Sequence, residues 1–173
     1  MAIITRILQP HDAPAYRRTR LEGLRLCPGS FGSTYEEENA KPKLAFEHFI
    51  EVQTPGRFIA GAFDGENLAG ICGFAGDESN RNRHKGQVIQ MFVQPAYTNK
   101  GIGLQLLQKV METAFKLPGV EQLILGVVTD NTNAIKLYEK AGFITYGIHR
   151  NYFKDEDGSY LHQQFMVLYK EDK

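Results

Sequence analysis

Residues 88–107 read VIQMFVQPAYTNKGIGLQLL. An apolar, strand-like run stops at Gln94-Pro95. Gly101 and Gly103 then stand one residue apart, at the head of a segment with apolar residues at helical spacing: Ile102, Leu106, Val110, Met111 and Ala114. A helix N-terminus has unpaired N–H groups and a partial positive charge. Glycine there removes the Cβ that would hold an anion away from the backbone. Strand, tight turn, glycines and helix together predict a phosphate cradle. Two well-known phosphate loops do not fit. No GxxxxGK[ST] run is present, and a dinucleotide fingerprint needs a third glycine where Leu106 stands. Taken alone, the GxG pair also reads as a glycine-rich helix cap.

Outward from this stretch, Gln87–Val93 reads as a strand, Lys100–Leu117 as a helix stopped by Pro118-Gly119, and Gln122–Val128 as a branched strand. A strand–helix–strand unit implies a parallel pair with a crossover helix. Upstream, Ile3–Leu8 reads as a strand. His11–Leu26 reads as a helix with apolar Ala15, Leu21 and Leu24, and with Arg17, Arg18, Arg20 and Arg25 between them. Thr34-Tyr-Glu-Glu37 has capping-box spacing, so a second helix begins there and Pro42 splits it. Arg57–Phe63 and Asn67–Ala75 form a hairpin across Asp64-Gly65, and Gly76–Gly86 is a polar loop. Downstream, Asn133–Ala141 is a short helix capped by Gly142, and Phe143–Ile148 and Tyr160–Tyr169 are strands on either side of Asp157-Gly158. The expected fold class is α+β: a central mixed, mostly antiparallel sheet flanked by about four helices, in a single domain over residues 1–173.

The chain carries 20 basic and 20 acidic side chains and no net charge. General affinity for nucleic acid or an anionic membrane needs an excess of Lys and Arg, so neither partner is expected. The basic run Arg81–Lys85 reads as a solvated loop. Cys27 and Cys72 show no ligand spacing, so no metal is expected; Cys72, within LAGICGFA, reads as a buried thiol. No apolar run approaches the roughly 18 residues of a membrane span, and MAIITRILQ is too short and mixed for a signal peptide. A cytoplasmic protein is expected.

VQPxxxxKGIGxxLL, followed some way on by DNTNAIKLYEKAGF, resembles the GNAT superfamily of N-acetyltransferases. The family's pyrophosphate loop has the form [Q/R]xxGxG/A. Here Thr98 replaces the usual Gln or Arg, which removes one side-chain contact and leaves the backbone cradle intact. The second block, from Asn131 through Leu137-Tyr138 to Gly142-Phe143, matches the family closely. The resemblance implies acetyl-coenzyme A as cosubstrate and a splayed parallel strand pair. It implies that the backbone of Met91, Phe92 and Val93 bonds the pantetheine arm. The N–H groups of Asn99, Lys100, Gly101, Ile102, Gly103 and Leu104 would hold the pyrophosphate. Asn131 would bond the pantetheine region, and Tyr138 would lie near the thioester sulfur.

The implied reaction is direct attack of a primary amine on the thioester in a ternary complex. A fixed backbone N–H near Phe92 or Val93 would stabilise charge on the carbonyl oxygen, and Tyr138 would return a proton to the thiolate. A tyrosine near its ordinary pKa of about 10 does so only with tuning or a short contact. Some members carry a Glu base where this chain has Gln87, which can only position a water, as can Gln90. Asp77, Glu78, Glu36, Glu37, His84 and His162 remain as candidates, with water as the alternative. The runs Pro28–Glu38 and Gly147–Met166 resemble members acting on small-molecule amines or protein N-termini. By that likeness Phe31 and Tyr35 meet the amine, with Glu36–Glu38 either beside it or serving only as a helix cap. A non-catalytic acyl-coenzyme-A sensor or partner module is the rival reading. A homodimer is left open, with Tyr160–Tyr169 the strand available to pair across it.

Overall fold

The protein is described by a computed structural model covering residues 2–171. Its strands are β1 (Ile3–Ile7), β2 (Arg57–Asp64), β3 (Asn67–Gly76), β4 (Lys85–Val93), β5 (Gln122–Val128), β6 (Ile144–Lys154) and β7 (Tyr160–Tyr169). Its helices are α1 (Ala13–Leu26), α2 (Tyr35–Asn39), α3 (Ala45–Val52), α4 (Ile102–Phe115) and α5 (Thr132–Lys140). The strands form one sheet in the order β1-β2-β3-β4-β5-β7-β6. Every neighbouring pair is antiparallel except β4 and β5.

Local signals place most boundaries. The Thr34 hydroxyl accepts the Glu37 N–H at 3.2 Å, and the Glu37 carboxylate accepts the Thr34 N–H at 3.1 Å, a reciprocal cap that starts α2. The chain around Pro42 separates α2 from α3. Gly65, at φ +59°, turns the β2–β3 hairpin. The last two strands differ from the sequence reading. β6 runs on to Lys154, and β7 lies inside the sheet between β5 and β6. The expectation that Tyr160–Tyr169 is free to pair with a second copy is therefore corrected: both its edges are taken, and the sheet's edge on that side is β6.

Two cores cover the two faces of the sheet. On one face Ala60, Ala62, Cys72, Phe74 and Val88 pack with Ile102, Leu106, Leu107, Val110 and Ala114 of α4 and with Tyr138 of α5. On the other, Ile59, Ile71 and Phe92 pack with Ala13 and Tyr16 of α1 and Phe46 and Ile50 of α3. α1 departs from the apolar pattern in its sequence. Its buried face is Ala13, Tyr16, Thr19, Arg20, Gly23 and Leu24, so one arginine of the helix lies inside the protein.

β4 owes its shape to Gln90, which sits mid-strand at φ +56°. The β3–β4 register shifts between Ile71 and Gly73, so Gln90 and Met91 together oppose Cys72, and Gln90 is the extra residue of a β-bulge. Side chains alternate along a strand, and one inserted residue flips all that follow. Val88 precedes the bulge and faces α4, while Phe92, four residues on, faces α1. There its ring fits against Gly23, where a Cβ would fall 2.9 Å from the Phe92 Cγ. The Gln90 side chain is held by the Tyr16 hydroxyl, which donates to its Oε1 at 2.7 Å.

Gly86, just before the parallel strands part, has no room for a side chain: a Cβ there would overlap the fully buried Phe74 ring, which stacks on Phe58 at 5.2 Å. Gly86→Ala is expected to lower the unfolding free energy by about 1–3 kcal/mol, the usual cost of overpacking a core. Urea denaturation of the two proteins, with an unchanged slope, checks this.

Candidate active site

The turn into α4 collects unsatisfied donors. Asn99 and Gly101 both have left-handed backbone angles, φ +60° and +76°. With those angles the N–H groups from Asn99 to Leu104 find no acceptor among the described residues, and the first helical bond is Gln105 N–H to the Gly101 carbonyl. No side chain caps the helix. Successive N–H groups arranged around alternating backbone angles form an anion-binding concavity, and α4 adds its dipole. The two glycines serve different needs. Gly101 supplies the positive φ and has open space where a Cβ would lie. Gly103 lets α5 approach α4, since a Cβ there would sit 3.2 Å from the Leu137 Cδ2. Lys100 ties the turn back on itself, its Nζ donating to the Ala96 carbonyl at 2.9 Å.

The parallel pair β4–β5 is joined only at Lys85–Gln122, Gly86–Leu123 and Gln87–Ile124. Past those positions the strands part. The backbone of β4 then has one edge on β3 and the other on the opening. The Gln94 N–H bonds Ala69 of β3 at 2.8 Å, and Phe92 pairs with Ile71. Backbone groups alternate between the two edges of a strand, so Met91 and Val93 face the opening. Phe92 was expected among them and does not join them: its backbone is used by β3 and its ring by α1.

On the α1 side of this opening lies a cavity of about 380 Å³. Gln87, Ile89 and Gln90 of β4, and Ile124 and Gly126 of β5, form its floor. Phe31 follows the end of α1, and Tyr152, Phe153 and Phe165 close the cavity from β6 and β7. Arg20 enters from α1 with its guanidinium 4.6 Å above the Phe31 ring. Of the residues expected to meet an acceptor, Phe31 and Gln87 line this cavity and Tyr35 does not. No Asp, Glu or His lines it among the described residues. Asp77 and Glu78 line a neighbouring cavity of about 280 Å³ that shares Gln87 and Ile124. His162 accepts the Asn151 N–H at 2.9 Å within the β6–β7 pair, and Glu37 is committed to the α2 cap.

Tyr138 lies on the opposite face of the sheet from the cavity, in the core under α4 and α5, only 7% exposed. Its ring meets Phe143 edge-on at 6.0 Å. Burial, reinforced by the nearby Cys72 thiol, pushes its hydroxyl well above the usual tyrosine range, so it keeps its proton at neutral pH. Cys72 is itself fully enclosed, and burial pushes its thiol up in the same way. Asn131 caps α5, its Oδ1 accepting the Ala134 N–H at 3.2 Å, which leaves its amide NH₂ to point elsewhere.

Sequence reasoning missed Arg20, Gln163 and the aromatic wall of β6 and β7. The only sign of Arg20 was its position: it stands four residues after Tyr16 and three before Gly23, on the stripe that faces the sheet. Gln163 folds its amide over Gly126, and its Oε1 is enclosed without a partner. Among the described residues, no helix is long and apolar enough to cross a membrane.

The sequence matches the family described as acetyltransferase (GNAT) over residues 22–143. The chain is 33% identical over 136 residues to an N-alpha-acetyltransferase RimI of Mycobacterium tuberculosis, covering 79% of this chain and 81% of that protein. It is 36% identical over 77 residues to an N-alpha-acetyltransferase of Sulfurisphaera tokodaii, spanning 44% of this chain and just under half, 46%, of that relative. The fold is shared with yncA of Salmonella typhimurium, solved with its cofactor acetyl-CoA, at a TM-score of 0.81 and 17% identity over 100% of this chain and 96% of that one. Parted parallel strands beside a glycine turn rich in free donors, together with a family match across most of the chain, lead to one conclusion: this protein belongs to the acetyltransferase (GNAT) family.

Proposed function

We propose that the protein transfers an acetyl group from acetyl-coenzyme A to a primary amine by direct attack. The observation that carries this reading is the row of N–H groups from Asn99 to Leu104 without a partner among the described residues, in the turn that follows β4 beyond the point where it parts from β5. The cradle suits a pyrophosphate: it offers several convergent donors, a helix dipole, and open space beside Gly101. The coenzyme would supply an activated acyl group and a thiol leaving group. Met91 and Val93 would bond the pantetheine amides along the open edge of β4, with the Asn131 amide as a further donor. One of their N–H groups would also stabilise negative charge gathering on the carbonyl oxygen.

Tyr138 is the proposed proton donor to sulfur. Its raised pKa keeps the donor loaded, while widening the gap to a thiol's ordinary value of about 8.5. The proton therefore moves late, along a short hydrogen bond to a sulfur that has already gained charge. The amine would enter from the cavity on the other face and reach the carbonyl through the gap. With no carboxylate or imidazole on that cavity's walls, its proton would leave through water oriented by Gln87 or Gln90. That same lack is the one observation favouring a non-catalytic acyl-coenzyme-A-binding role. Turnover with a panel of amines separates the two: tight binding with no acetylated product from any amine would favour the sensor.

Two experiments test the proposal. Proline cannot adopt the φ of +76° at Gly101 and removes one N–H. Calorimetric titration with acetyl-coenzyme A should therefore show binding to the parent chain and a loss of about 10- to 100-fold in Gly101→Pro, the value of one or two charge-assisted hydrogen bonds. No binding to the parent would reduce the glycine turn to a helix cap and remove the transferase reading. Tyr138→Phe should bind acetyl-coenzyme A as the parent does and lower kcat by about 100-fold or more. Equal kcat in the two proteins would exclude Tyr138 as the acid.

A further inference from the structure

Arg20 is 7% exposed, yet no carboxylate lies within 4 Å of it and no protein atom accepts a hydrogen bond from it among the described residues. The nearest acidic influence comes from Glu38, whose carboxylate is taken by Lys41 at 2.6 Å. Glu47, near Tyr16, is taken by Arg17 at 2.8 Å and by the Leu44 N–H at 2.6 Å, and Glu22 of α1 accepts from the Gln94 amide at 2.9 Å. Burial lowers the Arg20 pKa, partly offset by Tyr16 and Glu38, but a guanidinium stays protonated in proteins. A permanent charge is thus held inside, stacked on Phe31, with the cavity as its open side. A buried charge is normally paired, because desolvation without a partner is costly.

The geometry points to Arg20 as the anchor for an anionic group of the acceptor: the amine this protein acetylates carries a carboxylate close to its amino group and an apolar body. The inference rests on the proposed transferase reading for its chemistry and on the cavity for its recognition. Three features select this class. The guanidinium fork matches a carboxylate with two parallel N–H donors. Phe31, Tyr152, Phe153 and Phe165 offer aromatic surface for the rest of the molecule. The cavity carries one positive charge and no negative side chain on its walls, which repels polycationic amines and favours the neutral, nucleophilic form of an amino group beside it. A peptide N-terminus offers only a neutral carbonyl at the matching distance from its amine, and would leave Arg20 without a counter-ion.

The test uses matched pairs of amines differing only in that group, phenylalanine against phenylalaninamide and leucine against leucinamide, with a short peptide as the third arm. Each is assayed for acetylation and, separately, for equilibrium binding to the protein loaded with coenzyme A. The parent should favour the carboxylate partner by about 10- to 100-fold in kcat/KM, and in binding constant. Arg20→Gln should erase that preference mainly through KM, while acetyl-coenzyme A binding stays at the parent value. Arg20→Lys keeps the charge without the fork and should recover part of the preference. Thermal melting of both variants confirms that they are folded. Equal use of acid and amide, or a peptide preferred over both, overturns the inference even where transfer is seen. If acetyl-coenzyme A binds but no amine is acetylated, binding of the acid over the amide, lost in Arg20→Gln, still supports the anchor while the transferase reading fails. Acid and amide bound alike by the parent overturn it.

Discussion

The hydrogen bond from the Tyr16 hydroxyl to Gln90 fastens the part of the protein on which the site depends. A side-chain-bearing residue with φ +56° in mid-strand is conformationally costly, on the order of 1–3 kcal/mol, and persists only where its surroundings hold it. Tyr16 is one such hold and Phe92 is another. Once the bulge has flipped the strand, the Phe92 ring is seated against Gly23 of α1, and Met91 and Val93 turn their backbone toward the gap. Without the inserted residue, Phe92 would face α4, and α1 would lose the ring seated against Gly23. The backbone edge exposed to the gap and the helix that bounds the cavity are therefore set by one local irregularity.

The separation of β4 from β5 also divides the chemistry between the faces. The glycine turn and Tyr138 lie with α4 and α5; the cavity, Arg20 and the aromatic wall lie with α1 and the β6–β7 pair. At the gap the β4–β5 ladder stops after Gln87 and Ile124, so the two sides meet there without an intervening strand pairing. The electrostatics follow the same division. The α4 side offers backbone donors and a neutral phenol, and the α1 side one buried cation. Among the described residues no carboxylate lines the cavity on the α1 side, so the fixed charge there is positive.

Much of the fold was legible because its signals are local. The Thr34–Glu37 cap, Pro42, the Asp64-Gly65 hairpin and the apolar stripe of α4 each act within a few residues, and each appears where the sequence put it. The glycine turn was legible for a related reason: a positive φ at Gly101 favours glycine, and the close approach of Leu137 to Gly103 leaves little room for a Cβ. The bulge was not, because Gln90 is a residue type with no preference for a left-handed angle, and its partner Tyr16 is 74 residues away in sequence. Arg20 was hidden by the usual rule that arginines between apolar helix positions face water. The helix is rolled by Tyr16 and Gly23 so that its ridge meets the sheet, and Arg20 is carried inward with them. The aromatic wall read only as strand, since nothing in Gly147–Phe165 shows which face of β6 and β7 will look into a cavity.

Gly103 links the two halves of the α4–α5 side more tightly than a capping role would. Its missing Cβ brings Leu137 within van der Waals reach of the first turn of α4, and Leu137 immediately precedes Tyr138. The Asn131 cap fixes where α5 begins, seven residues before the tyrosine, and Phe143 packs edge-on against the ring from beyond the helix. The phenol is thus located from three directions, one of which is the turn that would bind the coenzyme's phosphates. A Cβ at position 103 would press on the Leu137 side chain, one residue before Tyr138, so the packing of α5 against the first turn of α4 is tight at this point. The two glycines thus act on different neighbours: Gly101 shapes the turn through its positive φ, and Gly103 lets the helix that carries Tyr138 pack close to that turn.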